Sequence, residues 1–193
     1  MIDIPDFDAL YRRDPDPWKV RSSFYEQRKL SIVLACLNSP SYRFAWDPAC
    51  GVGELAARLA LRTERLLATD ASAEAVHLTA QHCRGLAQVQ VQEWALPSAP
   101  PQPSRGFDLV VLSEFFYYLS AADRSTTLGM LDAVTTDDAE IVSVHWRYKP
   151  HDAWLSGEDV QTEVIDRLGA LGWRHRVQHD DRDFVVDCLE RDR

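Results

Sequence analysis

An α/β fold built on a mostly parallel sheet is what this sequence predicts, and three observations carry that expectation. Apolar runs of strand length alternate with helix-period segments, which requires crossover connections. A glycine-bearing turn, Asp47-Pro48-Ala49-Cys50-Gly51-Val52-Gly53, stands between the first such strand and the helix after it. The run Phe107-Asp108-Leu109-Val110-Val111-Leu112 is nearly all apolar, as suits a central strand buried on both faces.

The elements follow from local signals. Asp14-Pro15-Asp16-Pro17-Trp18 fixes an extended approach, and Ser23 with Glu26 has the S-x-x-E spacing of a capping box opening a helix. Leu30, Val33, Leu34 and Leu37 give that helix its apolar stripe, and Asn38 and Pro40 end it. A strand at Phe44-Ala45-Trp46 leads to the glycine turn and a helix over Glu54 to Arg62. The strand Arg65 to Thr69 ends at Asp70, and Asp70 or Ser72 caps a helix from Ala71 to His82. A third strand, Gln88 to Gln92, ends at Glu93-Trp94. Four prolines between Leu96 and Arg105 predict a loop in place of a crossover helix. After the fourth strand come a helix over Asp123 to Val134, a strand over Glu140 to Val144 and a helix over Glu158 to Leu171, which Gly172 ends. Arg174 to Gln178 and Phe184 to Leu189 read as a closing antiparallel hairpin.

With 193 residues, 46% hydrophobic and 26% charged, the chain suits one domain over 1–193 with its own core. Residues 1–38 would form an N-terminal lid and helix, and 39–193 a Rossmann-like core. The net charge of -9 disfavours a nucleic-acid partner, since backbone phosphates would be repelled. The basic run Arg174-His175-Arg176 is cancelled by Asp180, Asp181 and Asp183. Cys36, Cys50, Cys83 and Cys188 form no C-x-x-C pair, so no zinc or redox site is signalled. Asp3, Asp6 and Asp8 replace the basic start of a signal peptide, and no segment is long enough to span a bilayer, so a cytoplasmic protein acting on a small molecule is expected.

G-x-G-x-x-A within the glycine turn, followed about twenty residues later by Asp70, is the pattern of a dinucleotide-binding turn. A nicotinamide cofactor is therefore one reading. Asp47 favours another, because a carboxylate beside that loop would repel a pyrophosphate but attract the ammonium and sulfonium of S-adenosyl-L-methionine. Asp70 suits the ribose hydroxyls of either. Glu93 and Trp94 offer an adenine a polar group and a flat ring, or else form a surface carboxylate beside a half-buried tryptophan. The chain's end at Arg193 leaves no room for the substrate domain of many dehydrogenases.

Asp47-x-x-Cys50-Gly51-x-Gly53, Asp70 and the run from Phe107 through Ser113-Glu114 resemble the successive motifs of class I methyltransferases. More narrowly, Asp16-Pro17-Trp18, Tyr25-Glu26, Ser113-Glu114-Phe115-Phe116-Tyr117-Tyr118-Leu119 and His145-Trp146-Arg147 are similar to the nodulation protein S methyltransferases. The resemblance covers roughly Asp14 to Leu171. It implies a seven-stranded sheet with an antiparallel last strand and helices on both faces. It also implies S-adenosyl-L-methionine as cofactor, S-adenosyl-L-homocysteine as product, and methylation of a nitrogen on an amine or amino-sugar type of acceptor. Cofactor contacts are expected at Trp18, Tyr25, Asp47, Cys50, Gly51, Gly53, Asp70, Ala71, Glu93, Trp94 and Ser113. Substrate contacts are expected at Phe116, Tyr117, Tyr118, Trp146 and Arg147, although two of the four residues Phe115 to Tyr118 would serve as plain core. Glu114 and His145, at strand ends, are the candidates for holding and deprotonating the acceptor. The shortened proline-rich loop departs from the family pattern. O-methylation, a nicotinamide-dependent oxidoreductase and a catalytically silent cofactor-binding module are the alternatives.

Overall fold

The computed structural model describes residues 4–100 and 106–191. Seven strands form one sheet in the order β3-β2-β1-β4-β5-β7-β6. They are β1 (Ala45–Pro48), β2 (Leu66–Asp70), β3 (Val89–Glu93), β4 (Phe107–Ser113), β5 (Thr135–Trp146), β6 (Trp173–Asp180) and β7 (Phe184–Arg191). All are parallel except β7, which runs antiparallel between β5 and β6. The crevice of such a sheet lies at the carboxyl ends of β1 and β4, where the strand order reverses.

β4 shows why an apolar run reads as a central strand. Leu109 and Val111 face one core with Leu30, Val33, Leu55 and Leu59, while Phe107, Val110 and Leu112 face a second with Leu128, Leu131, Val160 and Val164. The first core is covered by α2 (Phe24–Cys36) and α3 (Glu54–Leu59), and the second by α5 (Ala121–Val134) and α6 (Gly157–Ala170). Asp108 is the one charged residue in the strand. Its oxygens accept the Phe44 N–H at 2.8 Å and the Arg43 N–H at 2.9 Å, tying β4 to the chain entering β1.

Three local expectations are corrected. A helix absent from the sequence reading, α1 (Phe7–Arg13), precedes the Asp-Pro segment, with Asp6 capping it through the Ala9 N–H at 3.0 Å. Asp8 then accepts from Ser72 Oγ at 2.8 Å and the Glu74 N–H at 2.9 Å, docking α1 on the start of α4 (Ala73–His82). Ser23 precedes α2 but makes no side-chain cap, because Glu26 turns instead to Lys29, one helical turn on. The capping box lies at Ser156 and Asp159, opening α6. β5 also begins earlier than expected, at Thr135, where a register shift opposite Phe107 and Leu109 lets a polar stretch join the sheet. Of the proline-rich loop, residues 101–105 lie outside the described residues, as does Asp3.

Gly157 brings α6 against the end of β5: a Cβ there would lie 2.0 Å from the Trp146 carbonyl oxygen. Gly157→Ala is expected to cost about 1–3 kcal/mol through overpacking, visible as a lowered melting temperature. Gly129→Ala, whose Cβ would meet nothing within 4 Å, is the control. Equal melting of both variants would remove the proposed clash.

Candidate active site

A cavity of about 960 Å³ opens at the carboxyl ends of β1, β2 and β4. Its floor is the glycine loop after β1. Ala49, Gly51 and Gly53 all have positive φ (57°, 56° and 81°), and Gly53 caps the start of α3. Asp70, at the end of β2, holds the loop by accepting the Gly51 N–H at 3.0 Å, and it also accepts the N–H of Ser72, the cap of the next helix, at 2.9 Å. Asp47 is 1% exposed, and its Oδ2 has no hydrogen-bond partner. Burial, with the neighbouring charge of Asp70, pushes its pKa up to about 8.

The roof comes from the N-terminus. Phe7, Leu10 and Tyr11 of α1 and Trp18 beyond it border the cavity, and Trp18 packs edge-on against Tyr11 at 5.7 Å. The far wall is aromatic: Phe115, Tyr117, Tyr118 and Trp146 line it. Glu114 has φ +62°, a conformation that costs a non-glycine residue of order 1–3 kcal/mol and that clusters at functional sites. Its carboxylate is held from three sides. Lys29 Nζ donates to Oε1, while the Tyr117 hydroxyl at 2.6 Å and the Trp146 N–H at 2.9 Å donate to Oε2. Although burial raises the Glu114 pKa, the attraction of Lys29 and these hydrogen bonds outweigh it and hold the carboxyl below its ordinary range.

Most expected residues meet at this cavity. Trp18, Tyr25, Asp47, Cys50, Gly51, Asp70, Ala71, Trp94, Ser113, Glu114, Tyr117, Tyr118 and Trp146 all line it. Five do not. Gly53 faces Thr79 as the cap of α3, and Phe116 is core, with Phe115 at the wall in its place. Glu93 is solvent-exposed at the edge strand β3. Arg147 is taken by Glu158 and Asp180, each at 2.7 Å. His145 is fully buried behind the wall, where Nε2 accepts the Phe116 N–H at 3.3 Å and the ring packs against Tyr117 at 5.3 Å. Burial lowers its pKa to about 4, so it is neutral at pH 7 and supports the backbone rather than meeting a ligand.

The sequence reading missed Phe7, Leu10, Tyr11, Glu26 and Lys29 as lining residues. Phe7, Leu10 and Tyr11 repeat at i, i+3 and i+4 behind the Asp6 cap, a signal available in the sequence. Lys29 had only its place beside the apolar stripe of α2 to mark it.

Among the described residues, no helix is long and apolar enough to cross a membrane, and no cluster of three His, Cys, Asp or Glu side chains is placed to hold a metal ion. Residues 45–138 match the methyltransferase domain family. Comparison with curated proteins gives no match. Among solved structures, the chain is similar to one from Pseudomonas syringae described as a methyltransferase, at 32% identity over 88% of this chain and 100% of that one, with a TM-score of 0.75. It is also similar to the N-methyltransferase NodS from Bradyrhizobium japonicum WM9 in complex with S-adenosyl-L-homocysteine, at 17% identity over 97% and 99% with a TM-score of 0.82. A third is a SAM-dependent methyltransferase from Aquifex aeolicus, at 18% identity over 95% and 97% with a TM-score of 0.71.

Proposed function

The chain belongs to the class I S-adenosylmethionine-dependent methyltransferases, and from that premise we propose that it methylates a basic nitrogen on a small-molecule acceptor. The observation that carries this reading is the charge of the buried cluster in the acceptor-side wall: two carboxylates, Glu26 and Glu114, face a single ammonium, Lys29. That group is one positive charge short of balance, which suits an acceptor arriving as an ammonium ion. Tyr117, Tyr118 and Trp146 add π faces that tolerate a cation. A neutral hydroxyl would leave the imbalance in place.

The residues present also fit the cofactor. S-adenosylmethionine supplies an electrophilic methyl group on a sulfonium. The unpartnered oxygen of Asp47 is a site for its amino group, Asp70 stands where the ribose hydroxyls would lie, and Trp94 offers a stacking surface. Gly51 keeps the loop free of side chain where the cofactor would approach. The lid residues Trp18 and Tyr11 keep water from the methyl group, and the aromatic wall aligns the acceptor with it. Glu114 holds the acceptor's ammonium and the end of the wall together. His145, behind that wall, supports the backbone of Phe116.

Product mass and methyl position, measured for paired amines and alcohols of one carbon skeleton, test the acceptor chemistry. Methylation of the amines alone is expected, and of the alcohols alone would overturn it. Asp47 supplies a second prediction. Because its pKa without ligand is about 8, a bound ammonium must displace a proton, so affinity for S-adenosylhomocysteine should rise between pH 6 and about 8. Asp47→Asn should flatten that rise and weaken binding by about 1.5–3 kcal/mol, roughly 10- to 150-fold. Calorimetry across this pH range reads both effects, and an identical slope in the variant would remove Asp47 from the cofactor's site.

A further inference from the structure

Six carboxylates among the described residues line the cavity, and their partners separate them. Asp70 is committed to the glycine loop through the Gly51 N–H and to the start of α4 through the Ser72 N–H. Glu54 faces Arg21, Arg58 and His82. Asp47 stands at the cofactor end. Asp152 lies on the segment after β5, with the His151 ring at 3.9 Å. Glu114 already accepts from Lys29, Tyr117 and the Trp146 N–H. Of the two carboxylates that meet Lys29, Glu26 has more lone pairs to spare. Its one partner is Lys29 Nζ, at 3.1 and 2.9 Å from its two oxygens, and Lys29 is shared with Glu114.

Resting on the amine reading above, we infer that Glu26 takes the proton from the acceptor's nitrogen, with Lys29 and Glu114 as the pair that positions it. An ammonium ion has no lone pair and cannot attack a methyl carbon until a proton leaves. The three side chains carry a net charge of one negative unit. One positive charge balances them, and it can be the acceptor's ammonium before transfer or the proton on Glu26 after it. Lys29 is 2% exposed and lies 4.8 Å from the Tyr25 ring, so it has little freedom to swing away and leave Glu26 unpaired.

The charged and titratable groups facing Glu26 are Lys29 and Tyr25 on its own helix, Glu114 beyond β4, and Asp16 from the segment before α2. Burial raises the Glu26 carboxyl, Lys29 opposes that, and Glu114 and Asp16 add to it, leaving it above its ordinary range. Glu114 is shifted the other way, which makes it the poorer proton acceptor of the two.

In the step, the acceptor's N–H bond breaks, its proton joins a Glu26 oxygen and the electron pair stays on nitrogen. That pair forms the new N–C bond as the C–S bond breaks, and the bonding pair of C–S passes to sulfur. The products are a methylated ammonium, neutral S-adenosylhomocysteine and protonated Glu26, which returns its proton to water when products leave.

The test uses the full chain and the primary amine that wild type methylates fastest in the paired panel. Glu26→Gln should bind S-adenosylhomocysteine like wild type but lose about 10²- to 10⁴-fold in kcat at pH 7. The deficit should shrink as pH rises towards the amine's own pKa, where free amine enters directly. An unchanged kcat and pH profile would overturn the inference, as would a raised KM with kcat intact, which belongs to a holding group. If Glu26→Gln fails to bind S-adenosylhomocysteine, Glu26→Ala with added formate decides. Recovery of kcat by formate supports a proton acceptor at this position, and no recovery overturns it. Methylation of alcohols alone by wild type would fail the amine reading instead, before any variant is made.

Discussion

Lys29→Met is expected to destabilise the protein by about 3–5 kcal/mol at pH 7, the cost of removing one partner from a buried ion pair. Read as a melting temperature, that is a fall of about 6–20 °C for a chain of this size. The lower part of the range is expected, because Glu26 and Glu114 border a cavity rather than a sealed interior. Without Lys29 the two carboxylates face each other with no cation between them, while Tyr117 and the Trp146 N–H still hold Glu114 in place.

The pH dependence separates this from a simple packing defect. In wild type the depressed pKa of Glu114 contributes stability that is present above its unfolded value of 4.5 and is lost as pH falls through the folded value. In Lys29→Met both carboxyls should rise above 4.5 in the folded state. The variant is then destabilised more as pH climbs above 4.5 and recovers as pH falls towards it. The gap between the two melting temperatures should therefore narrow from pH 7 to pH 5. An unchanged melting temperature at pH 7 would mean the ion pair contributes nothing net, and a gap independent of pH would assign the loss to packing.

How far the sequence discloses this site depends on whether its signals are local. The glycine loop, Asp70 and the apolar run of β4 were legible because each is defined by neighbours within one strand-turn-helix unit. The antiparallel position of β7 was likewise legible as a hairpin with β6, although its insertion beside β5 was not, since that pairing joins Glu140 to Glu190 across fifty residues of chain. Burial of Lys29 depends on Glu114, 85 residues away, and nothing local distinguishes it from a solvated lysine on α2. The same distance effect misdirected Ser23 and Glu26, whose capping-box spacing was real but whose glutamate has a better partner in Lys29.

Strand ends also proved an incomplete guide to the cavity. Ser113 and Trp146 end β4 and β5 and line it, yet His145, one residue earlier in β5, points its ring to the opposite side of the sheet from its neighbour, as strand alternation requires. Glu93 pairs with Asp70 across β2 and β3 but belongs to an edge strand whose exposed positions face water. Arg147 lies just past β5, where Glu158 and Asp180 capture it before it can reach a ligand.

Gly51→Val is expected to abolish measurable binding of S-adenosylhomocysteine, a loss on the order of 100-fold or more. Two effects combine. Gly51 has φ +56°, which a β-branched residue adopts only with strain of roughly 1–3 kcal/mol. A Cβ there would also stand 2.9 Å from the Tyr11 hydroxyl, so that ring must give way, and the added methyls would fill space where the cofactor would approach the loop. Tyr11 is the flexible party, because Gly51 itself is tied by its N–H to Asp70 and by its carbonyl to Thr79 Oγ1 at 2.9 Å. Gly51→Ala separates the contributions: it keeps the backbone strain and the Tyr11 contact but omits the γ-methyls, so its loss should be intermediate. Calorimetric affinity alongside thermal melting reads binding apart from stability. A folded Gly51→Val protein that binds S-adenosylhomocysteine as wild type does would reduce the loop to a turn and move the cofactor's site elsewhere in the cavity.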